Sequence, residues 1–315
     1  RQDAHEAAGH AVGAAAIAST EGVRAEYRGT GCWVVVVTLA EQEGDTQTGF
    51  SYRIARRVED LDHDGVVSEA VERAARMLGA SKPATARVPV LLDPVAASSF
   101  LGVLSDGLSA EAVQKQRSLF GPLVGEQVAS DVLTVVDDGR LLDGPGAAPF
   151  DGEGVPTGRT ELLSSGVLNG FLHNTYTARR GDKRSTGNAV RGYRSTPGVG
   201  TTNLFVQPGD RSFEQLLREA EGGVLVQDVT GVHSGANPIS GEFSVGATGL
   251  RISGGDLGQP VREMTIASTI PGSENMMSTS RIASSKSTQR YSLCSGRPSS
   301  GLTGNETSTV RVLAM

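Results

Sequence analysis

Trp33-Val34-Val35-Val36-Val37-Thr38-Leu39 is the stretch that sets the fold class. Four consecutive valines between an indole and a threonine combine β-branched and aromatic side chains, which pack well on a pleated surface and lose rotamer freedom in a helix. The segment therefore reads as a strand, and outward from it the chain reads as meander-like sheet. Before it, Ala11 to Ala18 is a small apolar run that Thr20, Glu21 and Gly22 turn. After it, Val67, Ala70, Val71, Ala74, Ala75 and Leu78 recur at three- and four-residue intervals. That stripe predicts an amphipathic helix over Val66 to Leu78, stopped by Gly79.

Ser81, Lys82 and Pro83 then read as a linker, and Val88 to Leu92 (VPVLL) as a short buried strand opening a second domain. Phe100 to Gln116 is helical in parts, Val132 to Val136 is a strand, and the Gly/Pro-rich stretch to Pro156 is loop. Glu161 to Leu163 and Val167 to Leu172 flank Ser164-Ser165-Gly166 as a hairpin, and Phe213 to Ala220 is a short helix. Val224 to Val229, Phe243 to Ala247 and Leu250 to Ile252 return to strand. Beyond Pro271 roughly a third of the residues are Ser or Thr and no apolar period survives, a composition that ordinarily stays disordered.

Composition agrees with a strand-rich α+β protein. Forty-one glycines and only 4% aromatic residues imply many turns and cores built from Val, Leu and Ala. The net charge of −6 is spread along the chain without a Lys/Arg cluster, so nucleic acid is not expected as a partner. Cys32 and Cys294 are the only cysteines, which leaves no disulfide scaffold and suits a reducing cytoplasm. No apolar run approaches the roughly 20 residues needed to span a bilayer. The first residue, Arg1 rather than Met, suggests a missing beginning.

Several segments together resemble the TldD/PmbA metallopeptidase family, once described as modulators of DNA gyrase. Glu26-Tyr27-Arg28-Gly29-Thr30 with Cys32-Trp33 is similar to that family's GEYRGT-x-CW strand pair. VPVLLDP (88–94), GEQVAS (125–130), LTVVDDG (133–139) and PFDGEGVPTGR (149–159) follow in the family's order. So do Gly166-Val167-Leu168, YTAR (176–179), STGN (185–188) and GEFSVG (241–246). The likeness spans most of Gly22 to Ile270. It implies a two-domain α+β fold: the remainder of an N-terminal α/β domain over residues 1–84, and a mainly antiparallel β domain over 85–270. Residues 271–315 form a divergent tail.

The resemblance also frames the site. In the catalytic branch an HExxxH segment follows the VPVLL-x-P strand, and its two histidines with a later cysteine hold zinc. Such a donor set suits a tetrahedral ion with one open position, where bound water becomes acidic. Here the corresponding stretch reads Phe100-Leu101-Gly102-Val103-Leu104-Ser105-Asp106-Gly107. Leu101 and Gly102 stand where ligands are needed, and Asp106 is the only ligand-capable carboxylate. The resemblance then implies the TldE/PmbA-like branch, which binds no zinc itself and pairs with a TldD-like zinc peptidase subunit. The complex would cleave unfolded or ribosomally made peptides.

Two alternatives stay open on the sequence. His5-Glu6-Ala7-Ala8-Gly9-His10 is itself an HExxxH string, so a self-sufficient metallopeptidase could use His5, Glu6 and His10, with Cys294 as a further ligand. Against it, Gly9 and Gly13 each weaken a helix by about 1 kcal/mol, and a spacing of five turns the second ring about 140° from the first. A strand or loop is expected there. The other alternative is a non-catalytic structural or regulatory protein. His173 and His233 are candidate bases or ligands, Asp137-Asp138-Gly139 a solvated turn or a cation site, and Cys32 a small core residue.

Overall fold

The computed structural model describes residues 2–192, 194–269 and 311–314. The valine run lies in the middle of a much longer strand. β1 (Gln2–Ala18), β2 (Arg24–Gln42) and β3 (Asp45–Ala55) form an antiparallel sheet in that order, with Gln2 opposite Ala40 and Cys32 opposite Ala55. Glu43 and Gly44 join β2 to β3 with φ of 52° and 84°, the two left-handed residues that a tight hairpin matching strand twist requires. β1 is built largely of Ala and Gly, and its partner strand supplies the β-forming side chains that its own sequence lacks.

Helix α1 (His63–Ala75) covers one face of this sheet. Asp62 caps it by accepting the Gly65 N–H. Its Val66 and Ala70 pack on Val34 and Val36 of β2, and the Thr38 hydroxyl donates to the Ala70 carbonyl at 2.7 Å. Gly49 of β3 faces the same turn of α1, so closely that a Cβ there would collide with the Ala70 carbonyl oxygen. At the entry of α1, His63 Nε2 lies 2.9 Å from Glu6 Oε1 of β1.

The second unit is organised around β4 (Pro89–Leu92), followed directly by α2 (Pro94–Gly107) and α3 (Ala110–Gln114). Then come β5 (Val135–Asp138), β6 (Arg159–Ser164), β7 (Val167–Leu168), α4 (Thr175–Arg180), β8 (Ala189–Val190), β9 (Gly198–Val199) and β10 (Leu204–Val206). α5 (Phe213–Glu219), β11 (Val224–Thr230), α6 (Val232–Gly235), β12 (Glu242–Ser253), β13 (Asp256–Thr269) and β14 (Arg311–Ala314) complete the chain. One sheet runs β13-β12-β11-β4-β14, a second β10-β5-β6-β7, and β8 pairs with β9 alone.

β4 is parallel to both neighbours and buried on both faces. Such a strand reads as an unbroken apolar run, as Val90-Leu91-Leu92 does. Val90 and Leu92 face the larger core with Phe100 and Leu104 of α2, Leu162, Leu168, Val226 and Phe243. Leu91 faces a smaller core with Leu216, Leu225, Leu250 and Ile252 under α5. The other ladders between these strands are antiparallel, so the molecule is a strand-rich α+β protein, as the valine run and the glycine content suggest.

The two units meet at a buried ion pair. Arg73, on the last turn of α1, donates both terminal nitrogens to Asp93, the residue between β4 and α2. Asp93 also caps α2 by accepting the Val95 N–H at 3.1 Å. Gln227 of β11 donates to the Arg73 carbonyl at 3.1 Å and accepts from Arg76 Nε. Burial pushes the Asp93 carboxyl above its ordinary range and Arg73 opposes that shift. Nearby, Ser81 does not hang free: its N–H and C=O pair with Pro260 and Arg262 of β13.

These contacts give three expected outcomes. Gly49→Ala should lower stability by about 1–3 kcal/mol through overpacking against α1, and an unchanged denaturation midpoint would contradict that packing. Arg73→Met or Asp93→Leu alone should cost about 3–5 kcal/mol by leaving a buried charge unpaired, while the double variant recovers much of the loss. Additive losses would refute the coupling. Glu6 first, then Asp64, holds the His63 imidazolium above its ordinary pKa of 6.5. A raised folded-state value stabilises fully below the unfolded value and is lost as pH rises through the folded one. The melting-temperature advantage of the parent over His63→Gln should therefore be present at about pH 5.5 and gone by about pH 9, and an advantage that grows with pH would overturn the assignment.

Candidate functional site

The C-terminal end of α2, α3 and the segment after β9 enclose an open cleft of about 270 Å³. Its lining includes Ser105 and Asp106 of α2, Ser109 and Glu111 at the start of α3, Lys115 and Arg117 after it, and Leu172, Val199, Gly200 and Thr201 opposite. Ser109 caps α3 by accepting the Glu111 N–H. The loop bearing Arg117 is held to α2 where the Ser118 hydroxyl donates to the Gly107 carbonyl at 2.6 Å.

Two buried asparagines and a buried aspartate set the opposite wall. Asn174, 2% exposed, caps α4 reciprocally with Thr177 and donates to the Pro197 and Gly198 carbonyls, which fixes β9 against α4. Asn188 donates to Asp137 Oδ2 at 2.7 Å and to the Gly200 carbonyl at 3.0 Å. Asp137 further accepts from the N–H and hydroxyl of Thr202, at 2.7 and 2.8 Å. Asp137 is 1% exposed. Burial raises its pKa and the bonds from Asn188 and Thr202 oppose the rise. The DDG string is therefore neither a solvated turn nor an open cation site at Asp137, although Asp138 does form a turn by accepting the Arg140 N–H.

Of the segment that the sequence singles out, Ser105 and Asp106 line the cleft and Leu101 and Gly102 do not. Leu101 is 5% exposed and faces the core, Gly102 is on the surface with open space where a Cβ would stand, and Asp106 is an exposed carboxylate on the rim. Glu111 is engaged by Lys115, whose ammonium lowers the Glu111 pKa. His173 follows cleft-lining Leu172. Its Nδ1 is buried without a hydrogen-bond partner, and burial pushes its pKa down against a hydrogen bond with the Thr177 backbone, with Lys183 adding to the fall, which favours the neutral imidazole. His233 is exposed on α6, outside the cleft lining. Cys32 is buried with its thiol toward the Ala55 carbonyl. Cys294 lies outside the described residues.

The amino-terminal HExxxH string lies on β1, not on a helix. His5 pairs across the ladder with Val37 and His10 with Cys32. Paired residues share a face and odd spacings change face, so the two imidazoles point to opposite sides of the sheet. Glu6 is bound to His63. A zinc ion needs three or four donors at about 2.0–2.3 Å. Among the described residues no group of three or more His, Cys, Asp or Glu side chains comes together to hold a metal. The donors on α2 and α3 amount to Asp106 and a Glu111 already paired with Lys115, a set that does not fit a catalytic zinc. Among the described residues no helix is long and apolar enough to cross a membrane.

Comparison with known proteins places this geometry in a family. Residues 3–78 match the model described as the PmbA/TldA metallopeptidase central domain, and residues 85–299 the model described as its C-terminal domain. The metalloprotease PmbA of Escherichia coli O157:H7 is 30% identical over 233 residues, covering 74% of this chain and 49% of its own. A solved structure described as a proposed modulator of DNA gyrase, from Thermotoga maritima, superposes with a TM-score of 0.78 at 33% identity, over 85% of this chain and 64% of that one. TldE from Thermococcus kodakarensis superposes with a TM-score of 0.76 at 26% identity, over 84% and 60%. The chain thus spans about half the length of the curated relatives it matches. With both domain models matched in order along one continuous fold, the chain belongs to the PmbA/TldD family of metallopeptidases.

Proposed function

We propose that this chain is the TldE/PmbA-like subunit of a heterodimeric zinc peptidase, in which a TldD-like partner carries the metal and this chain helps to hold the peptide. One observation carries the reading. The helix whose end opens onto the cleft offers a core leucine, a surface glycine and one exposed aspartate at Leu101, Gly102 and Asp106, where a catalytic zinc needs three protein donors. The likeness to TldE supports the same branch. In this reading the extended segment from Gly198 to Thr201 and the rim of α3 form a wall for peptide. Unfolded or ribosomally made peptides are the substrate class, and the cytoplasm is the compartment.

The division of labour makes the chemistry specific. The partner's zinc supplies an acidified water when bound, while this chain orients substrate through main-chain hydrogen bonds and excludes bulk water. Mixing the purified chain with an HExxxH-bearing partner should produce cleavage of an unfolded peptide that neither protein gives alone. Asp106→Ala in this chain should leave the zinc content of the complex unchanged. Chelator-sensitive cleavage by this chain alone, abolished by Asp106→Ala, would defeat the proposal.

A further inference from the structure

The chain-wide charge of −6 conceals a local reversal beside the cleft. Between residues 179 and 194 the sequence places six cations, Arg179, Arg180, Lys183, Arg184, Arg191 and Arg194, against the single carboxylate of Asp182. The first five are exposed, and no carboxylate pairs with them among the described residues. Elsewhere the protein pairs its cations freely, as in Arg57–Asp60, Arg211–Glu219 and Arg262–Asp45. Five exposed like charges with Asp182 as the one carboxylate between them in sequence repel one another, a cost that an anionic ligand would relieve.

Packing puts this strip next to the cleft. Gln114 of α3 donates to the Thr177 carbonyl of α4 at 2.7 Å, so the turn of α3 that precedes Lys115 abuts the helix that carries Arg179 and Arg180. The Lys183 N–H closes onto the Ala178 carbonyl, which folds the loop back over the end of α4. Arg191 runs past Gly152, whose neighbour Glu153 is bound to Thr175 at the start of α4. Favourable placement at the C-terminus of a helix accounts for Arg179 and Arg180. It does not account for Lys183, Arg184 and Arg191, which lie beyond that helix.

We infer that this strip selects substrate: it docks an acidic segment of the peptide whose neighbouring residues enter the cleft. The inference rests on the peptide-holding role proposed above and adds the chemical class of the peptide. A polypeptide fits better than nucleic acid because the adjoining cleft carries mixed charge, Asp106 and Glu111 beside Lys115 and Arg117, and does not continue the basic track that a phosphate backbone follows. Beside the strip, Tyr176 is already met by the Arg180 guanidinium, 5.9 Å from its ring centre.

Fluorescence anisotropy of the full chain with labelled acidic, neutral and basic peptides of equal length provides the test. The acidic peptide should bind about tenfold or more tighter than the neutral one and weaken steeply from about 50 to 300 mM salt. The exposed double variant Arg180→Glu/Lys183→Glu should remove that preference while neutral-peptide binding persists. Equal affinity for all three peptides, or a preference unchanged in the variant, overturns the inference and leaves the peptide-holding role standing. Tighter binding of a single-stranded oligonucleotide of matched charge also overturns it. Failure to bind any peptide removes both.

Discussion

The Arg73–Asp93 pair ties together more of this fold than any other contact. It is buried, it is bidentate, and each partner has a second duty: Arg73 ends the helix that covers the first sheet, and Asp93 caps the helix that leads to the cleft. Charges removed from water are costly, and the cost is offset only when every lone pair and proton is satisfied. The Val95 N–H adds a further bond to the Asp93 carboxylate, and Gln227 bridges the Arg73 main-chain carbonyl and Arg76 beside the pair. The orientation of α2, and therefore of Asp106 on the cleft rim, follows from an interaction with the other unit.

A second buried carboxylate does the equivalent work across the cleft. Asp137 accepts from Asn188 and Thr202, and these bonds hold Gly200 and Thr201 in place as a wall. Together with Asn174 it makes the cleft a preformed feature, supported from behind by hydrogen bonds. Preorganisation of this kind suits a binding subunit, because an extended peptide that enters a rigid wall loses its own entropy but meets no reordering cost from the protein.

Much of the fold was legible because its signals are local. The Val34–Val37 run, the three-and-four stripe of α1, the apolar Val90–Leu92 and the Ser165-Gly166 turn each carry their structure within a few residues, and all four are found. β3, β13 and α4 carry no such local signal, and β1 is legible only as an apolar run and a strand or loop, not as one strand over Gln2–Ala18. β1 is Ala- and Gly-rich and takes its conformation from the ladder to β2, while α4 is a single capped turn too short to show a period. The same contrast applies to the site. The α2 segment was found through its place after the VPVLL strand, whereas the wall depends on partners 51 and 65 residues apart in Asp137–Asn188 and Asp137–Thr202. Such pairs leave no periodic trace. The basic strip corrects the expectation of charge spread without a Lys/Arg cluster: six cations stand between residues 179 and 194, and a charge summed over the whole chain averages them away.

The central claim concerns coordination: the α2 segment that faces the cleft lacks the donors to hold a catalytic metal. Zinc titration of the purified full chain, followed by calorimetry and by metal analysis after dialysis, addresses that claim most directly. The account predicts only weak zinc binding that dialysis removes. One zinc retained per chain, bound through side chains of this polypeptide, would contradict it.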